Sequence, residues 1–436
     1  MTATPLIRPR PLALPRTRSA LFTGSLALIV VSGVTIALGA AAPASQLIRT
    51  PAHPRPLWLH GPLADLSVHI TFAQFVLLEG AMAVGYAGVV LAGAGVHRRA
   101  LLGAIAILHL AFLLTPPLLS TDIFSYLDYA RLGVIHGIDP YAQGPAAAPH
   151  DAVFSLTAWK HVGSAYGPVF TLVTYPLAKL SLPLAIWSLK LLAAAASLGC
   201  VALVWRIAEQ LGRSPARAAA LFGLNPVLLV WTVGGAHNDL LMLMLALGGV
   251  SLALARREAL GGAAVVAAAA VKATAGLALP FLVLGVRRWG RAAVGAVAAG
   301  AAVLAVAVVA FPGDPLGVVS VLSKQQHLVN YDSIPNVLAH AFGLHGVTAG
   351  VRTVAHAAFA VVAIALVVLV RRGYDWVAAC GWAMVAIVIA SPWLLAWYTI
   401  WPLPFAAVSR DRRLLAATVA LELYFVANHI PQLRFV

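Results

Sequence analysis

Runs of about 20 apolar residues decide what this chain can fold into, because that is the length an α-helix needs to cross a bilayer. Ala20–Ala42, Phe72–Gly95, Ala185–Val204 and Ala292–Phe311 all reach it. They are too long for the strands of an outer-membrane barrel, and only helices or closed barrels satisfy their backbone inside lipid. The chain is 61% hydrophobic and only 10% charged, against about 25% charged in a soluble domain. It reads as an all-α polytopic membrane protein.

The formal net charge of +15 would suggest nucleic acid if the basic residues were spread over a soluble surface. They are not. Arg8, Arg10, Arg16 and Arg18 precede the first apolar run, and further clusters (Arg98/Arg99, Arg206/Arg213/Arg217, Arg256/Arg257, Arg287/Arg288/Arg291, Arg371/Arg372, Arg410/Arg412/Arg413) each border another. That is the pattern of cytoplasmic loops, so no nucleic-acid partner is expected. The two cysteines, Cys200 and Cys380, lie in apolar runs and form neither a disulfide framework nor a CxxC site. The first run is longer than a signal-peptide core and is taken as a retained span.

Threading the chain through a bilayer with every arginine cluster inside gives eleven spans and one hairpin, a count within the range of about 11–13 helices. Residues 1–19 become a cytoplasmic basic tail and 20–436 one membrane-embedded domain. Two long outer segments emerge, 119–183 after the third span and 312–350. The run Ala263–Val286 has arginines at both ends and contains Lys272 and Pro280. It is expected to enter and leave on the cytoplasmic side as a pair of short helices. Runs near 353–370, 376–391, 394–409 and 414–428 complete the chain.

On this threading the polar and aromatic residues gather at one face, in Ser120–Tyr166, Gly234–Asp239, Ser323–Asn336 and Ser391–Tyr398. A transporter concentrates such residues near mid-membrane, often in two related halves. An enzyme or receptor working at the outer interface fits better. In the first segment a helix from Asp122 puts Asp122, Tyr126 and Tyr129 on one face. Asp122 serves either as a first-turn acid for the helix dipole or as a general base. Asp128 and Arg131, three residues apart, are placed to pair. Gly137-Ile-Asp-Pro-Tyr141 ends the helix, and Tyr166-Gly-Pro168 restarts one.

The order Asp122-Ile-x-x-Tyr126-x-x-x-Ala130-Arg131, Gly137-x-Asp139-Pro140-Tyr141 and Tyr166-Gly-Pro resembles the first catalytic loop of GT-C membrane glycosyltransferases. Further on come Asn225-Pro226, Gly234-Gly-Ala-His-Asn-Asp239, Val271-Lys272, Leu279-Pro280, Ser391-Pro-Trp393 and Trp397-Tyr398. Taken in order, the set resembles actinobacterial polyprenol-phosphomannose-dependent α-1,6-mannosyltransferases over about residues 115–405. It departs from their pattern at Thr121, where an arginine is expected. The resemblance implies a GT-C-like fold and an inverting transfer of mannose from a polyprenyl-phosphate mannose donor to a glycan or glycolipid acceptor at the outer plasma-membrane face. It also implies that Asp122 deprotonates the acceptor. An arabinofuranosyl or glucosyl donor, or a lipid-sugar transporter, are the alternatives.

Cations on the outer side are candidates for the donor phosphate: Arg131, Lys160, Lys324, His327 and the intramembrane Lys272. Bland readings stand beside them. Arg131 pairs with Asp128, Lys324-Gln-Gln-His327 is a solvated loop, and Lys272 snorkels. Tyr126, Tyr166, His237, Asn238, Asp239, Trp393, Trp397 and Tyr398 are candidates for sugar or acceptor contact. Asn238 or Asp239 equally suits a helix N-cap, and the tryptophans suit an interfacial belt. No Gly-rich phosphate loop and no HExxH occurs. No cofactor or zinc is expected, and a divalent cation at Asp122 is compatible with the spacing without being required by it.

Overall fold

The computed structural model describes residues 16–93 and 97–432. Arg8 and Arg10 of the expected basic tail lie outside the described residues. Among those residues there is no strand, only one isolated antiparallel bridge between Ile48 and Leu118. The chain forms α1 (Arg16–Ala40), α2 (Phe72–Ala92), α3 (Arg98–Leu114), α4 (Asp122–Val134), α5 (Pro168–Thr174), α6 (Leu182–Gln210), α7 (Pro215–Gly223), α8 (Asp239–Leu254) and α9 (Glu258–Ala269). There follow α10 (Leu279–Gly285), α11 (Trp289–Ala310), α12 (Gly317–Gln325), α13 (Ile334–Ala341), α14 (Ala349–Arg371), α15 (Trp376–Ala390), α16 (Leu403–Val408) and α17 (Arg412–Gln432). Five of them (α1, α2, α6, α11 and α14) are long and apolar enough to cross a membrane.

Local chemistry sets the ends of these helices. Thr71 and Gln74 close a reciprocal capping box on α2. Asp375 accepts from the N–H groups of Val377 and Ala378 at the start of α15. The long helices keep apolar side chains on their outer faces, such as Val297, Val309, Val354 and Val361. In water these would be a liability, but lipid is their natural solvent. The arginine clusters meet at one end of the bundle. Arg98 at the start of α3 lies over the Trp205 ring near the end of α6, and Arg213, Arg217, Arg410 and Arg412 surround one crevice.

Several apolar runs that look continuous in the sequence are interrupted. The run 218–233 breaks after Gly223 at Asn225-Pro226 and resumes as a π-helical turn, Leu228–Val233. Proline removes a backbone donor and clashes with the preceding turn. Asn225 repairs the break by accepting from the Leu228 N–H and donating to Glu422 at 2.8 Å. Trp231 in the π turn donates to Glu79 of α2 at 2.6 Å. The run 394–409 does not form one continuous helix. It holds one 3-10 turn at Ala396–Tyr398 and the short α16, which starts afresh after Pro402 with Pro404 in its first turn.

The pair of short helices expected within 263–286 is present, beginning earlier, at Glu258. α9 climbs beside α8, a 3-10 segment (Ala273–Ala278) turns the chain, and α10 descends. Lys272 is at the tip, and both arginine-bearing ends are on the same side. Gly167 fixes the tip. Its N–H donates to the Val271 carbonyl at 3.0 Å, and a Cβ there would lie 2.0 Å from the Ala270 oxygen. The Tyr166-Gly-Pro168 motif is therefore a docking point for the hairpin as well as a turn, and only glycine permits that approach.

Candidate active site

At the end of the bundle opposite the arginine clusters lies a cavity of about 340 Å³, lined by Asp122, Lys272, Trp393, Trp397, Tyr398 and Trp401 among others. Separate pieces of chain build the cavity and the layer behind it. α4 supplies Asp122 in its first turn. The hairpin tip supplies Lys272, the segment 159–166 supplies Trp159 and Tyr166, and the loop 391–401 supplies Trp393, Trp397, Tyr398 and Trp401. His237, in the turn before α8, and Asp239, the first residue of α8, stand behind the lining.

The two carboxylates differ in their surroundings. Asp239 is fully buried. It accepts two bonds from Lys272 Nζ, at 2.8 and 2.9 Å, and one from Trp401 Nε1 at 2.6 Å. The ammonium also lies 4.7 Å from the Tyr398 ring centroid and 5.4 Å from that of Trp401. Asp122 keeps 14% of its side chain exposed to the cavity, and its Oδ2 is 3.5 Å from His237 Nδ1. His237 is stacked on Trp397 with centroids 3.5 Å apart. Burial raises the Asp122 carboxyl to about 6; Lys272 opposes this, Asp239 adds to it, and Trp159 and Ser120 oppose it by hydrogen bonding. A carboxylate poised near neutral pH and facing a cavity is suited to accept a proton. Asp239, tied to a cation and an indole, is not.

The chain matches the N-terminal domain of the alpha-(1->6)-mannopyranosyltransferase family over residues 21–288 and the MptB C-terminal domain over 336–432. It is 32% identical over 414 residues to alpha-(1->6)-mannopyranosyltransferase A of Mycobacterium tuberculosis, covering 85% of this chain and 80% of that one. It is 27% identical to alpha-(1->6)-mannopyranosyltransferase B of Corynebacterium glutamicum, covering 66% of this chain and 55% of that one. This chain belongs to the alpha-(1->6)-mannopyranosyltransferase family. No solved structure matches it.

Seen as a membrane mannosyltransferase, the chain brings together many of the residues singled out from sequence. Asp122, Tyr166, Lys272, Trp393, Trp397 and Tyr398 line the cavity, with His237 and Asp239 directly behind it. Asn238 and Tyr126 form the next layer, where the Asn238 N–H donates to the Tyr126 hydroxyl at 3.4 Å and Tyr126 packs edge-on against Tyr166. Asn238 sits at the N-cap position of α8 without a side-chain capping bond, and Asp239 is committed to Lys272. Asn238 thus holds the N-cap position while its backbone N–H contacts Tyr126 behind the cavity.

The mannosyltransferase does not bring the other cations into this cavity. Arg131 is paired with Asp151, not Asp128: its Nε donates at 2.8 and 3.1 Å, its Nη1 donates to the Ala178 carbonyl, and His136 reaches the same carboxylate at 2.7 Å. Asp151 lies in a loop that folds back on α4, a contact that spacing along the helix does not register. Lys160 and Lys324 line an adjoining cleft of about 510 Å³ with His161 and Gln143, and Gln325 and Leu328 form a wall common to both spaces. His327 is exposed on the surface.

Sequence reasoning passes over Trp159 and Trp401, which also line the cavity. Trp159 contacts Trp393 edge-on at 6.0 Å. Trp401 is legible as the third aromatic of the Trp397, Tyr398, Trp401 spacing. Among the described residues no group of three or more His, Cys, Asp or Glu is arranged to hold a metal ion.

Proposed function

We propose that this mannosyltransferase uses a polyprenyl-phosphate mannose donor and forms an α-1,6 linkage with inversion at the outer face of the plasma membrane. The observation that carries the donor reading is an apolar groove of about 680 Å³ between α13, α14 and α15 that meets the catalytic cavity at Ala390. α14 serves both spaces: His356 faces the cavity, while Val354, Ala358, Phe359 and Val362 line the groove. A sugar on a long isoprenoid needs a polar chamber joined to an apolar channel open to lipid. A nucleotide sugar does not.

In the reaction the acceptor's 6-hydroxyl oxygen bonds to the anomeric carbon of mannose. The anomeric C–O bond to phosphate breaks, and polyprenyl phosphate leaves with the electron pair. The hydroxyl proton passes to Asp122. Inversion to an α product requires a β-linked donor. Lys272, which lines the cavity beside Asp122, meets the developing phosphate charge in this reading, and fixed cations and donors at that point lower the barrier. Trp393, Trp397, Tyr398 and Tyr166 supply flat faces for the sugars. The adjoining cleft carrying Lys160 and Lys324 offers the acceptor a polar approach.

The test is transfer by purified protein in nanodiscs, with polyprenyl-phosphate mannose or GDP-mannose offered to a short α-mannoside. Product should appear with the lipid donor alone, and its linkage should be α-1,6 by NMR. Product from the nucleotide sugar overturns the donor assignment. Asp122→Asn should lower turnover at least about a hundredfold with donor binding kept, the scale of losing a general base.

A further inference from the structure

Lys190 in α6 is fully buried, and no carboxylate among the described residues pairs with it. An ammonium in that position is costly unless dipoles satisfy it. Its Nζ donates to the Gly234 carbonyl at 3.0 Å, the Thr115 hydroxyl at 3.3 Å and the Pro116 carbonyl at 3.5 Å. Thr115 and Pro116 end α3, and Gly234 ends the π turn. Two helix C-termini therefore converge on one cation, and each presents partial negative charge. Together they take the place of a carboxylate.

Both of those ends lead directly into the site. Beyond Pro116 the chain runs to Leu119 and Asp122, and beyond Gly234 it runs to Ala236, His237 and Asp239. The Leu118 N–H also donates to the Gly234 oxygen at 3.0 Å, so both segments meet at the acceptor that Lys190 holds. Each then passes through a left-handed residue that is not glycine, Leu119 at φ 57° and Ala236 at φ 56°. A side chain makes that conformation unfavourable, and it persists only where the surroundings hold it.

We propose that Lys190 is a positioning residue for transfer: its charge pins both strained segments and so sets Asp122 against His237 and Asp239. The proposal rests on those residues forming the active site. The donor need not touch Lys190, so its loss should misalign the base without emptying the cavity.

The experiment compares Lys190→Met with Lys190→Met/Ala236→Gly, both in nanodiscs. In the single variant kcat should fall about ten- to a hundredfold, the scale of a misplacement near 1 Å. The KM and Kd for polyprenyl-phosphate mannose should stay close to the parent values. Glycine at 236 removes the penalty for the left-handed turn and should restore part of kcat. If Lys190→Met does not insert, Lys190→Gln, polar but uncharged, takes its place, with the same fall in kcat and the same recovery from Ala236→Gly expected. Parental kcat, a loss confined to donor KM, or no recovery from Ala236→Gly each overturns the proposal. Failure of the site reading would appear separately, as an active Asp122→Asn enzyme.

Discussion

Lys272→Met tests the electrostatics of the site most directly. The substitution removes the cation that holds Asp239 at 2.8 Å and that opposes the rise in the Asp122 pKa. Both consequences act on Asp122 in the same direction: a favourable charge disappears, and a nearby carboxylate is left uncompensated. Only the carboxylate form of Asp122 can take the acceptor's proton. With its pKa raised to about 6, the parent's activity should fall roughly tenfold per pH unit below that value. In Lys272→Met this acid limb should move to a pH above 6. The plateau should also drop about ten- to a hundredfold, because a charge-assisted contact to phosphate worth about 1.5–3 kcal/mol is gone. Lys272→Arg keeps the charge and should leave the limb near 6. The assay is kcat/KM across pH 5–9 with polyprenyl-phosphate mannose, in which limb position and plateau height separate. A limb that stays at 6 or moves down in Lys272→Met refutes the coupling between the two groups.

Arg131→Ala should lower thermal stability by about 1.5–3 kcal/mol, the scale of a hydrogen bond to a charged group, while donor affinity by titration stays near the parent's. A Kd raised more than tenfold would return Arg131 to the donor site. Ala358→Trp, which fills the groove, should raise the KM for a long-chain donor far more than for a short-chain analogue; equal effects would remove the groove from donor binding. Cysteine at Leu316, 60% exposed, should react with impermeant thiol reagents in intact cells and cysteine at Arg372 should not. The reverse would invert the topology.

The long helices are legible in the sequence because period and hydrophobicity suffice when lipid surrounds the chain. The paired short helices with Lys272 are legible because charge at both ends cannot be reconciled with one crossing. The region 394–409 misleads as a span: its composition is apolar, but its prolines and buried aromatics make it a wall of the site. Asp122, Lys272 and Trp397 can be picked out one at a time by residue type and context. That Lys272 binds Asp239, or that His237 stacks on Trp397, cannot, since those contacts join residues 33 and 160 positions apart, which local spacing does not relate. Arg131 shows the opposite error: spacing favours a near neighbour in sequence over Asp151, which a loop returns to it.

The cavity wall formed by Ser391–Trp401 comes from the segment matching the C-terminal domain of the family, whereas Asp122, His237, Asp239 and Lys272 come from the segment matching the N-terminal one. During synthesis the acids and the lysine enter the membrane first and wait, their cavity open on one side. Until the ribosome has delivered the last quarter of the chain, Asp239 lacks the Trp401 indole and His237 lacks its stacking partner. A nascent chain that stops short of this wall should therefore transfer no mannose. Two fragments cut within 312–350 should each be inert, yet complement one another when made in the same membrane.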